Sequence, residues 1–262
     1  MNFAFSFLKI LFKQTILLAV LLSITPSISA TQSNGKMDIL KISSRLYLIQ
    51  SYKRKIHPYN STNPEIFEAN ALIYIDGGNA YLIDTPWGPS DMPDLIIWIK
   101  NKGLTLKDTV VTHFHQDRVT GLEYLNKNNF KTFASRLTNR LLKEQHAVQA
   151  NHSFSGNNFE LLKDKIEIYN PGPGHTIDNI VVWLPTERVL MGGCLLRAKD
   201  THTLGYLGDA DTKDWYRSIR NIQQHYPNTK LVIPGHGSIK GNRTIITHTL
   251  NLANEYNNKY QE

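Results

Sequence analysis

The chain has 262 residues, a length that fits one large domain or two small ones. Its 41% hydrophobic residues can build a core, which excludes a wholly disordered chain, a collagen-like chain and a coiled coil. The net charge of +7 is modest for this length, and the single cysteine, Cys194, excludes an intramolecular disulfide and a cysteine-rich zinc finger.

The amino-terminal segment has the features of a secretory signal peptide. Lys9 and Lys13 supply a positive region, an apolar run follows, and small residues precede Ala30. We therefore expect residues 1–30 to be removed and residues 31–262 to form one domain exported to the periplasm. The alternative is an uncleaved membrane anchor, but the apolar run is short for a span and no stop-transfer pattern follows.

Strand and helix patterns alternate along the rest of the chain, without repeats or an obvious linker. Period-two patterns and turn residues predict strands at 38–50, 71–84 (with a turn at 76–79), 109–112, 165–170, 180–184, 189–191 and 230–234. Helical periodicity predicts helices at 92–101, 121–127, 136–145, 212–225 and 243–256. The segment 51–67 is basic and rich in Tyr, Pro and Asn, and a loop of that length is usually functional or mobile.

The first cluster of chemically active residues follows the predicted strand at 109–112. His113, His115 and Asp117 are spaced two residues apart. If the backbone stays extended, their side chains point to the same side, because side chains alternate along a strand. Neutral imidazoles and a carboxylate suit a borderline ion such as zinc. The alternative is a surface pair of histidines, which Asp117 and the buried strand disfavour.

Three further residues lie at similar strand-to-loop junctions. His175 follows two Pro-Gly pairs, Cys194 follows Gly192 and Gly193, and His236 follows a third Pro-Gly pair. Pro-Gly pairs force tight turns, and side chains at the ends of several strands can converge on one site. Cys194 alone is also consistent with a small buried hydrophobe, but an unpaired cysteine in an exported protein needs burial or a ligand role.

These four motifs together resemble those of the class B metallo-β-lactamases, in the subclass whose second zinc site is Asp-Cys-His. The resemblance runs from about Asp38 to the carboxyl terminus. It implies an α/β fold, the four-layer αβ/βα sandwich, with two Zn2+ per chain at one edge between the sheets. In this reading the first zinc is bound by His113, His115 and His175, and the second by Asp117, Cys194 and His236.

The resemblance implies a zinc-dependent cyclic amide hydrolase that confers antibiotic resistance. Such an enzyme opens the β-lactam ring of penicillins, cephalosporins and carbapenems by attack of a zinc-bound hydroxide, with Asp117 orienting the nucleophile. We expect a small-molecule substrate, no stable membrane anchor and a monomer. Nucleic acid is not expected as a partner, since the charge falls to +5 without Lys9 and Lys13 and the basic residues form no aromatic-interleaved stripe.

Other residues acquire expected roles from the same resemblance. Arg197 occupies a position where many relatives carry a lysine that binds the substrate carboxylate, and Tyr206 replaces an asparagine near the lactam carbonyl. Asp84 matches a partner of a ligand histidine, although a turn-capping carboxylate is the alternative. Arg118 is expected beside the metal ligands. The segment 51–67 matches a flap over the substrate, with Ile56, Tyr59, Ile66 and Phe67 as apolar contacts.

The alternative function is that of an exported hydrolase of the same fold acting on an ester, thioester or phosphodiester. Glyoxalase-type thioesterases and many nucleases of this fold carry a second histidine after the aspartate, where this chain has Arg118. They also bridge their metals with an aspartate where this chain has Cys194. The monozinc lactamases replace the first histidine by asparagine, whereas His113 is present here. A non-catalytic zinc protein is a third alternative, disfavoured by the complete ligand set.

Overall fold

The computed structural model describes residues 37–57, 60–88 and 90–260, which form two mixed β-sheets with helices on their outer faces. The predicted signal peptide, residues 1–30, lies outside the described residues, and the domain boundary at Ala30 stays a prediction. Among the described helices, none combines the length and apolarity that crossing a membrane requires.

Seven strands form the first sheet, and they lie side by side in chain order. They are β1 (Met37–Lys41), β2 (Leu46–His57), β3 (Asn60–Asp76), β4 (Asn79–Ile83), β5 (Thr105–Val110), β6 (Lys131–Ser135) and β7 (His152–Phe154). The first four strands pair antiparallel and the last four pair parallel, so β4 changes the direction of the sheet.

Five strands form the second sheet, in the order β12-β11-β10-β9-β8. They are β8 (Asn158–Leu162), β9 (Ile166–Tyr169), β10 (Val181–Leu184), β11 (Val189–Gly193) and β12 (Leu231–Pro234). Only β11 and β12 pair parallel. The helices are α1 (Asp91–Asn101), α2 (Gln116–Val119), α3 (Leu122–Lys127), α4 (Arg136–Glu144), α5 (Thr212–His225) and α6 (Thr244–Tyr260).

Side-chain alternation along the strands produces the four layers. In β2, Leu46 and Leu48 join the core between the two sheets, whereas Tyr47 and Ile49 join the core under α1. The outer face of the second sheet packs in the same way against α5 and α6, where Trp215 is fully buried. The predicted αβ/βα sandwich is therefore confirmed, and both sheets contribute strand ends to one edge of it.

Several predicted elements differ from the structure. The segment 51–67, predicted as a loop, continues β2 and β3 as an antiparallel hairpin, with Ser51 opposite Ala69 and Lys55 opposite Glu65. The predicted strand at 38–50 is two strands separated by a turn. The short strands β6, β7 and β8 were not predicted, because three to five residues carry too little periodicity. Tyr59 lies outside the described residues.

Candidate metal centre

Three histidines form the first group of possible ligands. The ring centroids lie 4.9 Å apart for His113 and His115, 5.0 Å for His113 and His175, and 4.9 Å for His115 and His175. However, β5 already ends at Val110, so His113 and His115 lie in the loop before α2 rather than on a strand. The backbone is therefore not extended through these residues, and Asp117 lies in α2. The prediction that strand alternation brings the three side chains together was wrong, although the residues do converge.

The turn before His175 fixes the position of its ring. A Cβ at Gly174 would lie 2.4 Å from the Leu195 side chain and 3.2 Å from Trp215, so this position has room only for glycine. The Trp215 indole in turn donates a hydrogen bond to the Leu195 carbonyl at 3.0 Å. The Pro-Gly turn is therefore packed directly against the core under α5, and His175 is buried.

Hydrogen bonds select which nitrogen of each histidine faces the centre. His115 Nε2 lies 2.9 Å from an Asp209 carboxylate oxygen, which leaves Nδ1 facing His175 Nε2 at 3.0 Å. His113 Nδ1 lies 3.2 Å from the Thr112 hydroxyl, and its buried Nε2 has no hydrogen-bond partner among the described residues. A partner that fixes the tautomer is typical of metal-binding histidines.

Two of these rings, those of His113 and His175, are held in the neutral form that binds a metal. Burial, with the charge of neighbouring histidines, holds the pKa of His113 well below its ordinary value. Burial and the nearby His115 lower the pKa of His175 to about 3. Both imidazoles therefore offer a lone pair at neutral pH without first losing a proton.

Cys194, Asp117 and His236 form the second group. Cys194 directly follows β11, and its sulfur lies 3.3 Å from Asp117 Oδ2. His236 Nε2 lies 2.9 Å from the same carboxylate oxygen. A Cβ at Gly235 would lie 2.6 Å from the Cys194 sulfur, so the Pro-Gly pair before His236 allows the two strand ends to approach this closely.

The hairpin of the first sheet holds His236 in place. His236 Nδ1 lies within hydrogen-bond distance of the Glu68 carbonyl, which directs Nε2 to the centre. The Asn70 side chain donates to the carbonyls of Pro234 and Gly237 at 3.0 and 2.9 Å. The turn that carries His236 is therefore fixed by β3, although the two segments are far apart in sequence.

Arg118 is the charged residue on which the second group is built. Its side chain is 0% exposed. Nε and Nη2 donate to Asp117 Oδ2 at 3.0 and 2.7 Å, and further donors reach the carbonyls of Asn70 and Gly235. Burial favours the neutral guanidinium, but Asp117, Cys194 and Asp84 outweigh it and raise the pKa of Arg118.

Asp84 does not contact a ligand histidine directly, as the resemblance implies, but is connected to His113 through Thr112. Its carboxylate accepts hydrogen bonds from the Thr112 amide at 2.7 Å and hydroxyl at 3.0 Å, and Arg118 lies 3.3 Å away. It reaches His113 only through the Thr112 hydroxyl. Burial raises the pKa of Asp84 to about 6, against the opposing charge of Arg118.

Asp117 and His236, in the second group, shift each other's pKa values in opposite directions. Burial opposes ionisation of Asp117, but Arg118 and the hydrogen bond from His236 hold its pKa well below the usual range. Burial also opposes the protonated form of His236, but the charge of Cys194 and the bond to Asp117 raise its pKa to about 10. At neutral pH Asp117 is therefore ionised, and His236 holds a proton that it would release on binding a metal ion.

The donor set fits zinc. The ligand atoms of His113, His115 and His175 lie within 4.8 Å of one another, and so do those of His113, Asp117 and Cys194. Zinc in proteins takes imidazole nitrogen, thiolate sulfur and carboxylate oxygen as ligands, and these residues supply all three kinds of atom. The unpartnered Nε2 of His113 is the buried polar atom that such an ion would satisfy.

A cavity of about 530 Å³ opens onto these ligands. It is lined by Trp87, Phe114, His115, Gln116, Asp117, Gln145, His175, Tyr206, Asp209 and His236. Tyr206 is 62% exposed, and its ring packs edge-on against His115. Arg197 does not line the cavity, because its guanidinium donates to the Thr203 carbonyl at 3.2 Å and lies against Gly205.

Sequence reasoning missed the residues that hold the ligands from outside. Asp209, Asn70 and the carbonyl of Glu68 each fix a predicted ligand or its turn. Asp209 follows Tyr206 in a polar stretch without any metal-binding spacing, and a backbone carbonyl has no sequence signature at all. The six predicted ligands, by contrast, are all brought together.

Comparison with known proteins assigns the family. The sequence profile of the metallo-beta-lactamase superfamily matches residues 66–236. The chain is 35% identical over 230 residues to a protein of Elizabethkingia meningoseptica named Metallo-beta-lactamase type 2, a match covering 87% of this chain and 89% of the relative. The chain therefore belongs to the metallo-beta-lactamase superfamily.

A second relative and two solved structures place the chain among the class B metallo-beta-lactamases. A Pseudomonas aeruginosa protein also named Metallo-beta-lactamase type 2 is 43% identical over 184 residues, covering 70% of this chain and 73% of the relative. The crystal structure of VMB-1 superposes with a TM-score of 0.80 at 39% identity, covering 86% of this chain and 99% of VMB-1. The DIM-1 metallo-beta-lactamase gives 0.79 at 39% identity, covering 84% and 98%.

Proposed function

We propose that this protein is a zinc-dependent β-lactamase that opens the lactam ring of penicillins, cephalosporins and carbapenems and confers antibiotic resistance. The observation that carries this proposal is the pair of possible ligand groups, one of three imidazoles and one that includes the Asp117 carboxylate and the Cys194 sulfur, at the edge shared by both sheets. The names of the relatives support the lactam substrate over an ester, thioester or phosphodiester. We infer two zinc ions per chain in a monomeric periplasmic enzyme.

Each ligand group has a distinct part in this proposal. His113, His115 and His175 would hold the first zinc, and Asp117, Cys194 and His236 the second. Zinc bound there would supply an activated water at neutral pH and a Lewis acid for the lactam carbonyl. The ionised Asp117 accepts hydrogen bonds at Oδ2, and its carboxylate at the cavity wall can orient a water molecule by the same means.

Hydrolysis assays test the proposal directly. The mature chain, residues 31–262, is expected to hydrolyse a penicillin, a cephalosporin and a carbapenem when loaded with zinc. A chelator should remove this activity, and added zinc should restore it. Hydrolysis of a thioester or phosphodiester without hydrolysis of any lactam would favour the alternative function instead.

Replacing Cys194 by serine is expected to weaken the second zinc site much more than the first. The serine hydroxyl is a poor ligand for zinc, whereas thiolate is a preferred one, and Cys194 contributes nothing to the three-histidine group. Metal analysis should give two zincs per wild-type chain at saturating metal and one tightly bound zinc in Cys194→Ser. One zinc in the wild type, unchanged in the variant, would refute the assignment.

Arg197→Ala is expected to impair substrate binding more than Tyr206→Phe. Because the Arg197 guanidinium bonds the Thr203 carbonyl in the structure, the proposed contact requires this side chain to turn into the cavity when substrate binds. A charge-assisted contact with the substrate carboxylate is worth about 2–3 kcal/mol, so KM should rise by roughly 30- to 150-fold in Arg197→Ala. Tyr206→Phe removes one hydroxyl and should change kcat by less than about threefold. Steady-state kinetics on a penicillin and a carbapenem measure both effects.

The control for Arg197→Ala is Lys199→Ala, an exposed cation two residues away. It should leave KM within about twofold of the wild type, as expected for a surface charge. Equal losses in both variants would show that overall charge, rather than a contact, is responsible. A large fall in kcat for Tyr206→Phe would reverse the proposed ranking of the two residues.

Export should produce a new amino terminus at Thr31. The signal features of residues 1–30 predict cleavage after Ala30. Mass spectrometry of the periplasmic protein is expected to show the mass of residues 31–262. A periplasmic species that retains Met1 would contradict this prediction.

A further inference from the structure

A small pocket adjoins the metal cavity at the foot of the β2–β3 hairpin. It has a volume of about 280 Å³ and is lined by Lys53, Arg54, Phe67 and Trp87. Trp87 also lines the metal cavity, and its ring lies edge-on to His236 with 5.8 Å between centroids. We call these four residues the side pocket. A substrate bound over the metal ligands can therefore extend past Trp87 into it.

The aromatic wall of the side pocket is preformed. The rings of Phe67 and Trp87 meet edge-to-face with 6.2 Å between centroids, and Phe67 is 37% exposed. The Trp87 amide donates to the Ser51 hydroxyl at 2.8 Å, which holds this residue against β2. Edge-to-face rings of this kind leave an open ring face and an open edge for a third aromatic group.

The other wall of the side pocket is cationic. Lys53 Nζ lies 5.4 Å from the centre of the Trp87 ring and donates to Gln116 Oε1 at 3.3 Å. An ammonium group has three donors, and Gln116 is the one hydrogen-bond partner that the described residues supply to it. Arg54 adds a second positive charge, and none of the described residues that line the pocket is a carboxylate. The pocket thus combines two ring surfaces with two cations.

A neighbouring groove is less suited to an anion. This groove, of about 640 Å³, shares Lys53, Arg54 and Trp87 with the side pocket, but Asp91 and Glu123 are on its wall as well. Those carboxylates repel a second negative charge. An anionic group that passes Trp87 is therefore favoured in the side pocket rather than in the groove.

We propose that the side pocket makes the enzyme selective for β-lactams whose acyl side chain carries both an aromatic ring and a carboxylate. The ring packs on Phe67 and Trp87, and the carboxylate pairs with Lys53, supported by Arg54. This inference rests on the proposed lactamase function and deepens it. Lys53 acts as a specificity-determining residue, since it contacts the part of the substrate remote from the bond that is broken.

Two penicillins that differ by a single carboxylate test the proposal. Carbenicillin is benzylpenicillin with a carboxylate on the benzylic carbon, so the ratio of their kcat/KM values reports this group alone. In Lys53→Met, the carbenicillin-to-benzylpenicillin ratio should fall by about three- to tenfold relative to the wild type. Lys53→Arg keeps the charge and should keep the ratio within about twofold.

Salt and a remote lysine supply the controls. Raising the ionic strength from about 0.05 to 0.5 M should lower the wild-type ratio more than the Lys53→Met ratio, in which only Arg54 remains to be screened. Lys230→Met removes the same charge from the exposed residue before β12 and should keep the wild-type ratio. An unchanged ratio in Lys53→Met, or an equal fall in Lys230→Met, would overturn the inference. Failure of the zinc-loaded wild type to hydrolyse benzylpenicillin would instead overturn the proposed function beneath it.

Discussion

Replacing Arg118 by methionine is expected to lower the free energy of unfolding by about 3–5 kcal/mol, the usual cost of removing one partner of a buried ion pair. The fully buried guanidinium faces the carboxylates of Asp117 and Asp84 and the carbonyls of Asn70 and Gly235. Methionine fills a similar volume but leaves these acceptors without a donor. The melting temperature should fall by about 6–20 °C for a domain of this size.

The measurement is urea or thermal unfolding in the presence of a chelator, so that zinc affinity does not contribute. Arg140→Met is the matched control, because it removes an arginine from an exposed ion pair instead of a buried one. The Arg140 side chain is 65% exposed, and its Nε lies 3.8 Å from Glu144 Oε1 on α4. It should cost less than about 1 kcal/mol. Arg118→Lys retains the charge without the planar fork and should fall between the two. Equal stability of Arg118→Met and Arg140→Met would contradict the role described for Arg118.

Removing zinc should lower the melting temperature as strongly as the loss of Arg118. Zinc at about a thousand times its dissociation constant adds roughly 4 kcal/mol to the free energy of unfolding, or about 8–16 °C. The physical reason is the three-histidine group, in which the buried Nε2 of His113 has no hydrogen-bond partner among the described residues and can bind the ion. Differential scanning calorimetry with zinc and with a chelator measures this difference.

Two controls separate specific binding from a general ion effect. Magnesium should give no stabilisation, since nitrogen and sulfur ligands suit zinc and not magnesium. His175→Ala should lose most of the zinc-dependent shift, whereas His152→Ala, an exposed histidine on β7, should retain it. A zinc-dependent shift that is the same in both variants would exclude the three-histidine group as the binding site.

Sequence reasoning predicted that the candidate ligands lie together because they share one kind of position, the end of a strand. Cys194 directly follows β11, and His236 lies two residues after β12, which pairs parallel with β11 in the second sheet. Parallel neighbours place their carboxyl ends at the same edge, so the predicted convergence of these two strand ends does occur. His113 and His115 were predicted correctly as neighbours for the wrong reason, because a loop rather than a strand brings them together.

The supports of the ligands could not be predicted in the same way. The Asn70 side chain donates to the carbonyls of Pro234 and Gly237, which flank His236 and lie more than 160 residues away in sequence. Nothing near Asn70 in the sequence distinguishes it from other asparagines. The hairpin at 51–67 was missed because its strands extend past the sheet core. Lys53 and Arg54 on β2 and Glu65, Ile66 and Phe67 on β3 are exposed, and without a buried face the period-two pattern is absent.

Residues only a few positions apart on the β2–β3 hairpin contact the turn that carries His236 and line the side pocket beside the cavity. At its base, Glu68 and Asn70 fix the turn that carries His236. One residue further along, Phe67 already belongs to the side pocket, and Ile66 is 58% exposed. Under the proposed role of the side pocket, substitutions from Phe67 outward would change which compounds bind, whereas the contacts of Glu68 and Asn70 with the turn that carries His236 would remain. Single mutations in the hairpin would then change substrate preference without disturbing the candidate metal ligands.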